Sequence, residues 1–146
     1  TEEDFARSHP AGSLGRRLLL RIEDLMHTGD AVPRVSESAT LSEALLEMSR
    51  KGLGMTTVVN EAGRISGIFT DGDLRRLLDH GEVQIRKLCV SEVMQRHCTT
   101  VESHLLAAEA LRIMDDKRIN ALPVTDTEGL LVGALNMHDM LRAGVV

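Results

Sequence analysis

The chain has 146 residues, 42% of them hydrophobic, and carries 17 basic against 22 acidic side chains, a net charge of −5. That length buries roughly two-thirds of the unfolded surface, enough for a domain that folds alone, while the acidic balance repels a phosphate backbone and argues against nucleic acid as a partner. Phe5 and Phe69 are the whole aromatic inventory, leaving no platform on which single-stranded bases stack, and no apolar run approaches the ~18 residues that suggest a membrane span.

Residues 1–21 precede the patterned part, and the start at Thr1 points to a piece cut from a longer protein. Ala31–Val35 reads as a short strand. A helix follows whose apolar positions Leu41, Ala44, Leu45 and Met48 fall on one face. Thr40 and Glu43 have the spacing of a capping box at its start. Met55–Val59 and Arg64–Thr70 read as strands joined by Asn60-Glu61-Ala62-Gly63, and a helix over Asp71–Asp79 ends where Gly81 is placed to stop it. The series then returns. Cys98–Val101 is extended, Ala107, Ala110, Leu111 and Met114 mark a helix face, Ala121–Thr125 and Leu130–Leu135 are strands about Asp126-Thr127-Glu128-Gly129, and Met137–Arg142 is the closing helix.

This return is a true repeat. Residues 44–76 lie on 110–142 at a constant offset of 66, with identities at Ala44/Ala110, Leu45/Leu111, Met48/Met114, Lys51/Lys117, Val58/Val124, Gly63/Gly129, Gly67/Gly133, Asp73/Asp139 and Arg76/Arg142. Upstream, Ile22-Glu23-Asp24-Leu25-Met26 faces Val90-Ser91-Glu92-Val93-Met94 at an offset of 68. The expected organisation is a leading segment over 1–21, a first repeat over 22–80, a linker over 81–89 and a second repeat over 90–146. One unit of strand, helix, strand, strand, helix cannot cover both faces of its sheet. An α/β (α+β) fold with two β-α-β-β-α repeats packed face to face is therefore expected, with clefts between them.

Cys89 and Cys98 lack CxxC spacing and no secretory leader precedes them, so two reduced, packed thiols in a cytoplasmic protein are expected. His27, His80, His97, His104 and His138 show neither an i, i+4 pair nor a His-Glu-x-x-His run; they read as surface or turn histidines, with no metal site. The segment with most chemistry is Gly67-Ile68-Phe69-Thr70-Asp71-Gly72-Asp73, where a strand gives way to a helix. Helix N-termini expose unpaired N–H groups, so a phosphate can be held there with the Thr70 hydroxyl, while Asp73 accepts two ribose hydroxyls and Gly67 lets a ligand approach. On spacing alone a plain N-cap at Thr70 is the reading to prefer, with the phosphate site left open. Arg75 and Arg76 follow in the same helix, within reach of a phosphate or forming a solvated face. Met55, Thr56, Ala121, Leu122, Pro123, Cys98 and Thr99 are candidates to line a base pocket, or are simply core.

With this order of elements, the repeated Gly-x-x-x-x-x-Asp and Leu122-Pro123-Val124, the chain resembles a tandem pair of cystathionine-β-synthase-type (CBS) domains from about residue 22 to 144. The resemblance implies a nucleotide held between the copies by a Thr or Ser three residues before an Asp. Thr70 and Asp73 match this, whereas Asn136 replaces the Thr before Asp139, so the two sites are expected to be unequal. The stretch Ser8-His9-Pro10-Ala11-Gly12-Ser13-Leu14-Gly15, the run Phe69 to Arg76 and the closing Met137 to Val146 resemble D-arabinose-5-phosphate isomerases, in which a sugar-isomerase domain leads into a CBS pair. That resemblance implies a parent enzyme interconverting ribulose 5-phosphate and arabinose 5-phosphate for Kdo and lipopolysaccharide synthesis. Only His9 falls on a catalytic position, so this piece is inactive alone. It implies no required cofactor; a bound AMP, ATP or CMP-Kdo; its own isomerase domain as partner; and a homo-oligomer, dimer or tetramer, the last also being the role of a pair that has lost ligand binding.

Overall fold

The computed structural model describes residues 18–81 and 84–146. Their elements are α1 (Ile22–Leu25), β1 (Arg34–Ser36), α2 (Leu41–Lys51), β2 (Met55–Val59), β3 (Ile65–Thr70) and α3 (Asp71–Asp79), followed by α4 (Val90–Val93), β4 (Val101–Glu102), α5 (Ala107–Lys117), β5 (Ala121–Thr125), β6 (Leu131–Asn136) and α6 (Met137–Ala143). Each repeat forms its own three-stranded sheet, ordered β1-β2-β3 and β4-β5-β6. The first two strands of each are parallel and the last two antiparallel. Helix crossovers connect the parallel strands, as they must, and Gly63 and Gly129 at φ +78° and +84° turn the antiparallel ones.

The helix stripes do what their spacing implies. Leu41, Ala44 and Met48 of α2 pack with Val58 and Phe69 on one sheet. Ala107, Ala110 and Met114 of α5 pack with Leu122, Val124 and Leu135 on the other. Each large apolar side chain fully buried here contributes about 1.5–3 kcal/mol. A third cluster, with Val32, Leu53, Met55, Ile68, Leu131 and Ala134, lies between the repeats and holds the two sheets face to face.

The short leading helices are exchanged between repeats. Ile22 of α1 is buried in the core of the second repeat, whereas Val90 and Met94 sit in that of the first. Backbone bonds fix the exchange: Ile22 N–H donates to the Leu105 carbonyl (2.9 Å) and Val90 N–H to that of Ala39 (2.9 Å). Beyond each helix the chain crosses a strand of the other repeat. Gln95 and Ile68 exchange both backbone hydrogen bonds (2.8 and 3.0 Å), and His27 and Ala134 do the same (2.9 and 3.1 Å). A Cβ on Gly67 would lie 2.6 Å from the Gln95 carbonyl oxygen, and one on Gly133 would lie 2.5 Å from Met26 Sδ and 3.0 Å from the His27 carbonyl oxygen. The two glycines therefore make room for the crossing chain, and the expected ligand approach at Gly67 is corrected.

Other expectations shift as well. The first strand of each repeat starts later than its composition suggests: Gly29–Ala31 is a 3-10 turn, and ladder pairing begins at Arg34↔Thr57 and Val101↔Val124. Pro33 has no N–H for a ladder and instead accepts from Thr57 N–H through its carbonyl (3.1 Å). Thr40 caps α2 by accepting from Glu43 N–H, but no reciprocal bond from Glu43 completes a box; Thr40 lies in a bridge with Cys89 that brings in the exchanged segment. Cys89 is exposed on that segment, not packed, and Cys98 is half-buried.

Candidate functional site

At the junction of β3 and α3, Thr70 has extended backbone (φ −121°, ψ 166°) and caps the helix. Its Oγ1 accepts from Asp73 N–H (3.1 Å), and Asp73 Oδ2 accepts from Thr70 N–H (2.9 Å) and from the Thr70 hydroxyl (3.0 Å). Arg76 donates to Asp73 Oδ1 (2.7 Å), and Gln95 Nε2 lies 2.8 and 2.9 Å from the two oxygens. A carboxylate offers about four lone-pair positions, so Asp73 is saturated by protein partners. The start of α6 repeats the device. Asn136 Oδ1 accepts from Asp139 N–H (2.9 Å), Asp139 Oδ2 accepts from Asn136 N–H (2.9 Å), and Arg142 donates to Asp139 Oδ1 (2.6 Å). Here His27 takes the place of Gln95, with Nε2 2.9 Å from Asp139 Oδ1. An ionised carboxylate only accepts, so Nε2 carries the proton. His27 is thus a half-buried partner of Asp139 and not the surface or turn histidine the spacing suggested, although the offset of 68 that aligns it with Gln95 was available to find it.

A cleft of about 400 Å³ opens beside Thr70, between the N-terminus of α3 and the segment joining α5 to β5. Of the residues singled out from sequence, it is lined by Thr70, Arg75 and Arg76 from the first repeat and by Cys98, Thr99 and Ala121 from the second. Asp73 sits behind Thr70. Met55 and Thr56 are fully buried, Met55 between the sheets and Thr56 with its hydroxyl donating to the Thr57 carbonyl (3.0 Å). Strand alternation turns Leu122 away from Ala121 into the core of its own repeat, and Pro123 is buried. These four do not line this cleft and act as core. Asn136 and Asp139 belong to the α6 junction, and His9 lies outside the described residues.

Sequence reasoning missed Arg118, which also lines the cleft. It is the C-cap of α5 at φ 55°, ψ 47°, the one non-glycine residue with positive φ among the described residues. The repeat offset pairs it with Gly52, at φ 70°. An arginine facing a helix-ending glycine was a legible signal. Arg76 is tied to Asp73, but neither the Arg75 nor the Arg118 side chain has a hydrogen-bond or ion-pair partner among the described residues. Asp71 also lines the cleft, which leaves it positive overall within an acidic chain. At the α6 junction the counterparts of Arg75 and Arg118 are Leu141 and Gly52, so the second position lacks these charges. Burial pushes the Cys98 thiol above its ordinary pKa, against a smaller lowering from a backbone hydrogen bond. No helix of the described residues is long and apolar enough to cross a membrane.

Comparison with known proteins agrees with this architecture. The chain is 58% identical over its full length to arabinose 5-phosphate isomerase KdsD of Pseudomonas aeruginosa, covering 44% of that protein. It thus spans less than half the length of such relatives. Among solved structures it superposes on an uncharacterized conserved protein from Pyrococcus horikoshii (TM-score 0.74, 28% identity, 86% of this chain and 92% of that one). It also superposes on CBSX2, solved in complex with AMP (TM-score 0.71, 21% identity, 86% and 96%). The CBS domain model matches residues 22–80 and again 90–146, and with both repeats matched the chain belongs to the CBS domain family.

Proposed function

We propose that this chain is a regulatory module that binds an anionic nucleotide or nucleotide sugar in the cleft beside Thr70, and that it reports to a sugar-isomerase domain preceding it in the parent protein. The observation that carries the reading is the convergence of Arg75, Arg76 and Arg118, from both repeats, on one cleft of an acidic chain. The N-terminus of α3 opens on the same space, and N–H groups there favour a phosphate. A volume of about 400 Å³ falls within the range of small-molecule pockets. The AMP held by CBSX2, a protein of the same fold, is consistent with this use of the cleft.

In this reading the phosphate meets Gly72 N–H and the arginines, and the Thr70 hydroxyl as well once it turns its proton from Asp73. A ribose diol reaches Asp73 only by displacing Gln95 or Arg76 from its oxygens, and because Gln95 lies on the exchanged segment, ligand binding then acts on the contact between repeats. That supplies a physical route from occupancy to the geometry of an attached domain, provided the ligand binds one arrangement more tightly than the other. Identity to KdsD supports a parent enzyme interconverting ribulose 5-phosphate and arabinose 5-phosphate. In such an enzyme CMP-Kdo, an end product of the pathway, is a feedback candidate beside AMP and ATP. Calorimetry of this chain against AMP, ATP, CMP and CMP-Kdo tests the reading: saturable heat from at least one of them is expected, and silence across the panel would overturn it.

A further inference from the structure

Helices α2, α5 and α6 all end on a residue in the left-handed region, and at two of these ends, Gly52 (φ 70°) and Gly144 (φ 75°), that residue is glycine. Of these three left-handed ends, only that of α5 bears a Cβ, at Arg118. Folding does not call for it. The same helix in the first repeat closes with glycine, which occupies this conformation without steric cost. A cation at a helix C-terminus is favoured by the dipole, but a lysine or arginine inside the last turn gains that without strain, and Lys117, the residue before Arg118, already does so. Among the described residues the guanidinium has no side-chain partner, and it lines the cleft together with Arg75, whose side chain also has none there. A strained backbone carrying an unpartnered cation into a cleft suggests selection by a ligand rather than by stability.

Building on the proposed nucleotide site, we infer that Arg118 is its specificity-determining residue: with Arg75 it clamps a terminal phosphate between the two repeats, so that the cleft selects nucleoside monophosphates over the corresponding nucleosides. The charge balance supports this class. Two guanidinium groups without partners among the described residues match a phosphomonoester, which carries about −1.5 to −2 and three acceptor oxygens. One arm comes from each repeat, so the clamp closes only when the repeats are correctly apposed. At the α6 junction, where Leu141 and Gly52 replace the two arms, no such selection operates.

The test uses this chain with AMP, adenosine, CMP and cytidine as probes, on the wild type, Arg118→Gly and Arg118→Lys. Arg118→Gly is expected to keep or raise Tm, because it relieves the left-handed strain, while its affinity for whichever monophosphate the wild type prefers falls by about 10-fold or more, as loss of a charged hydrogen bond implies. Affinity for the matching nucleoside stays the same, below detection if it is so in the wild type. Arg118→Lys restores part of the loss, since an ammonium keeps the charge without the planar fork. Undiminished monophosphate binding by Arg118→Gly, an equal loss for monophosphate and nucleoside, or a marked fall in Tm would overturn the inference and leave the nucleotide site standing. A wild type that binds neither monophosphate would instead remove the site on which the inference rests.

Discussion

Gly67→Ala tests whether the repeats are locked by chain exchange. The new Cβ would lie 2.6 Å from the Gln95 carbonyl oxygen and 2.8 Å from Met94 Sδ, far inside the ~3.5 Å of an ordinary non-bonded contact. The thioether is flexible and swings aside; the carbonyl is main chain and cannot. Either the overlap remains, at about 1–3 kcal/mol, or the Gln95 segment withdraws and weakens its two hydrogen bonds to Ile68, each contributing about 0.5–1.5 kcal/mol. A loss of about 1–3 kcal/mol follows, larger than that of the control below, lowering Tm by roughly 2–12 °C for a chain of this size. Urea unfolding followed by circular dichroism measures it, with the midpoint falling and the slope unchanged. Gly63→Ala is the control: it has φ +78° and open space around a Cβ, so it loses only about 1 kcal/mol to left-handed strain. Equal losses in the two variants, or a loss below about 0.5 kcal/mol at position 67, would refute the crossing-point account.

Three further predictions follow from the site. Thr56→Val replaces a buried hydroxyl that bonds only to the neighbouring carbonyl; it should change stability by less than about 1 kcal/mol and leave nucleotide affinity unchanged, and calorimetry showing weaker binding would return Thr56 to the ligand pocket. At pH 8 a maleimide or disulfide probe should label exposed Cys89 faster than Cys98, whose raised pKa leaves less thiolate at any given pH, and bound nucleotide should protect Cys98 alone; equal protection of both thiols would contradict the placement of the cleft. Asp73→Asn removes charge from the cap, from Arg76 and from Gln95 together, so stability should fall by about 1–2 kcal/mol even without ligand; a stability unchanged in thermal unfolding would mean that these contacts contribute nothing.

The fold was legible wherever a pattern repeats locally. The apolar stripes of Leu41-Ala44-Met48 and Ala107-Ala110-Met114, together with the turn glycines, announced helices and hairpins because their periodicity is a property of consecutive residues. Exchange of α1 and α4 was not legible, since it depends on which repeat each short helix packs against, and both repeats offer equivalent grooves. For the same reason Gly67 was attributed to a ligand approach when its neighbour is protein backbone. In the site, Thr70, Arg75, Arg76, Cys98, Thr99 and Ala121 converge as a helix start facing a second repeat suggests. Leu122 shares a strand with Ala121, and Met55 and Thr56 follow Gly54 directly, yet all three are buried away from the cleft, a distinction set by the pleat and the packing partner. Arg118 was legible through its pairing with Gly52 at the repeat offset, but its left-handed backbone and its place on the cleft show only in the structure.

The claim that matters most is that a nucleotide enters between Thr70 and Arg118. Amide shift mapping of this chain during titration with its tightest-binding nucleotide tests it directly. Saturable shifts should centre on Gly72 and on Arg118, Ile119, Asn120 and Ala121, with the Gln95 amide following as its side chain leaves Asp73. Shifts confined to Asn136, Met137, His138 and Asp139, or spectra unchanged at saturation, would contradict the account.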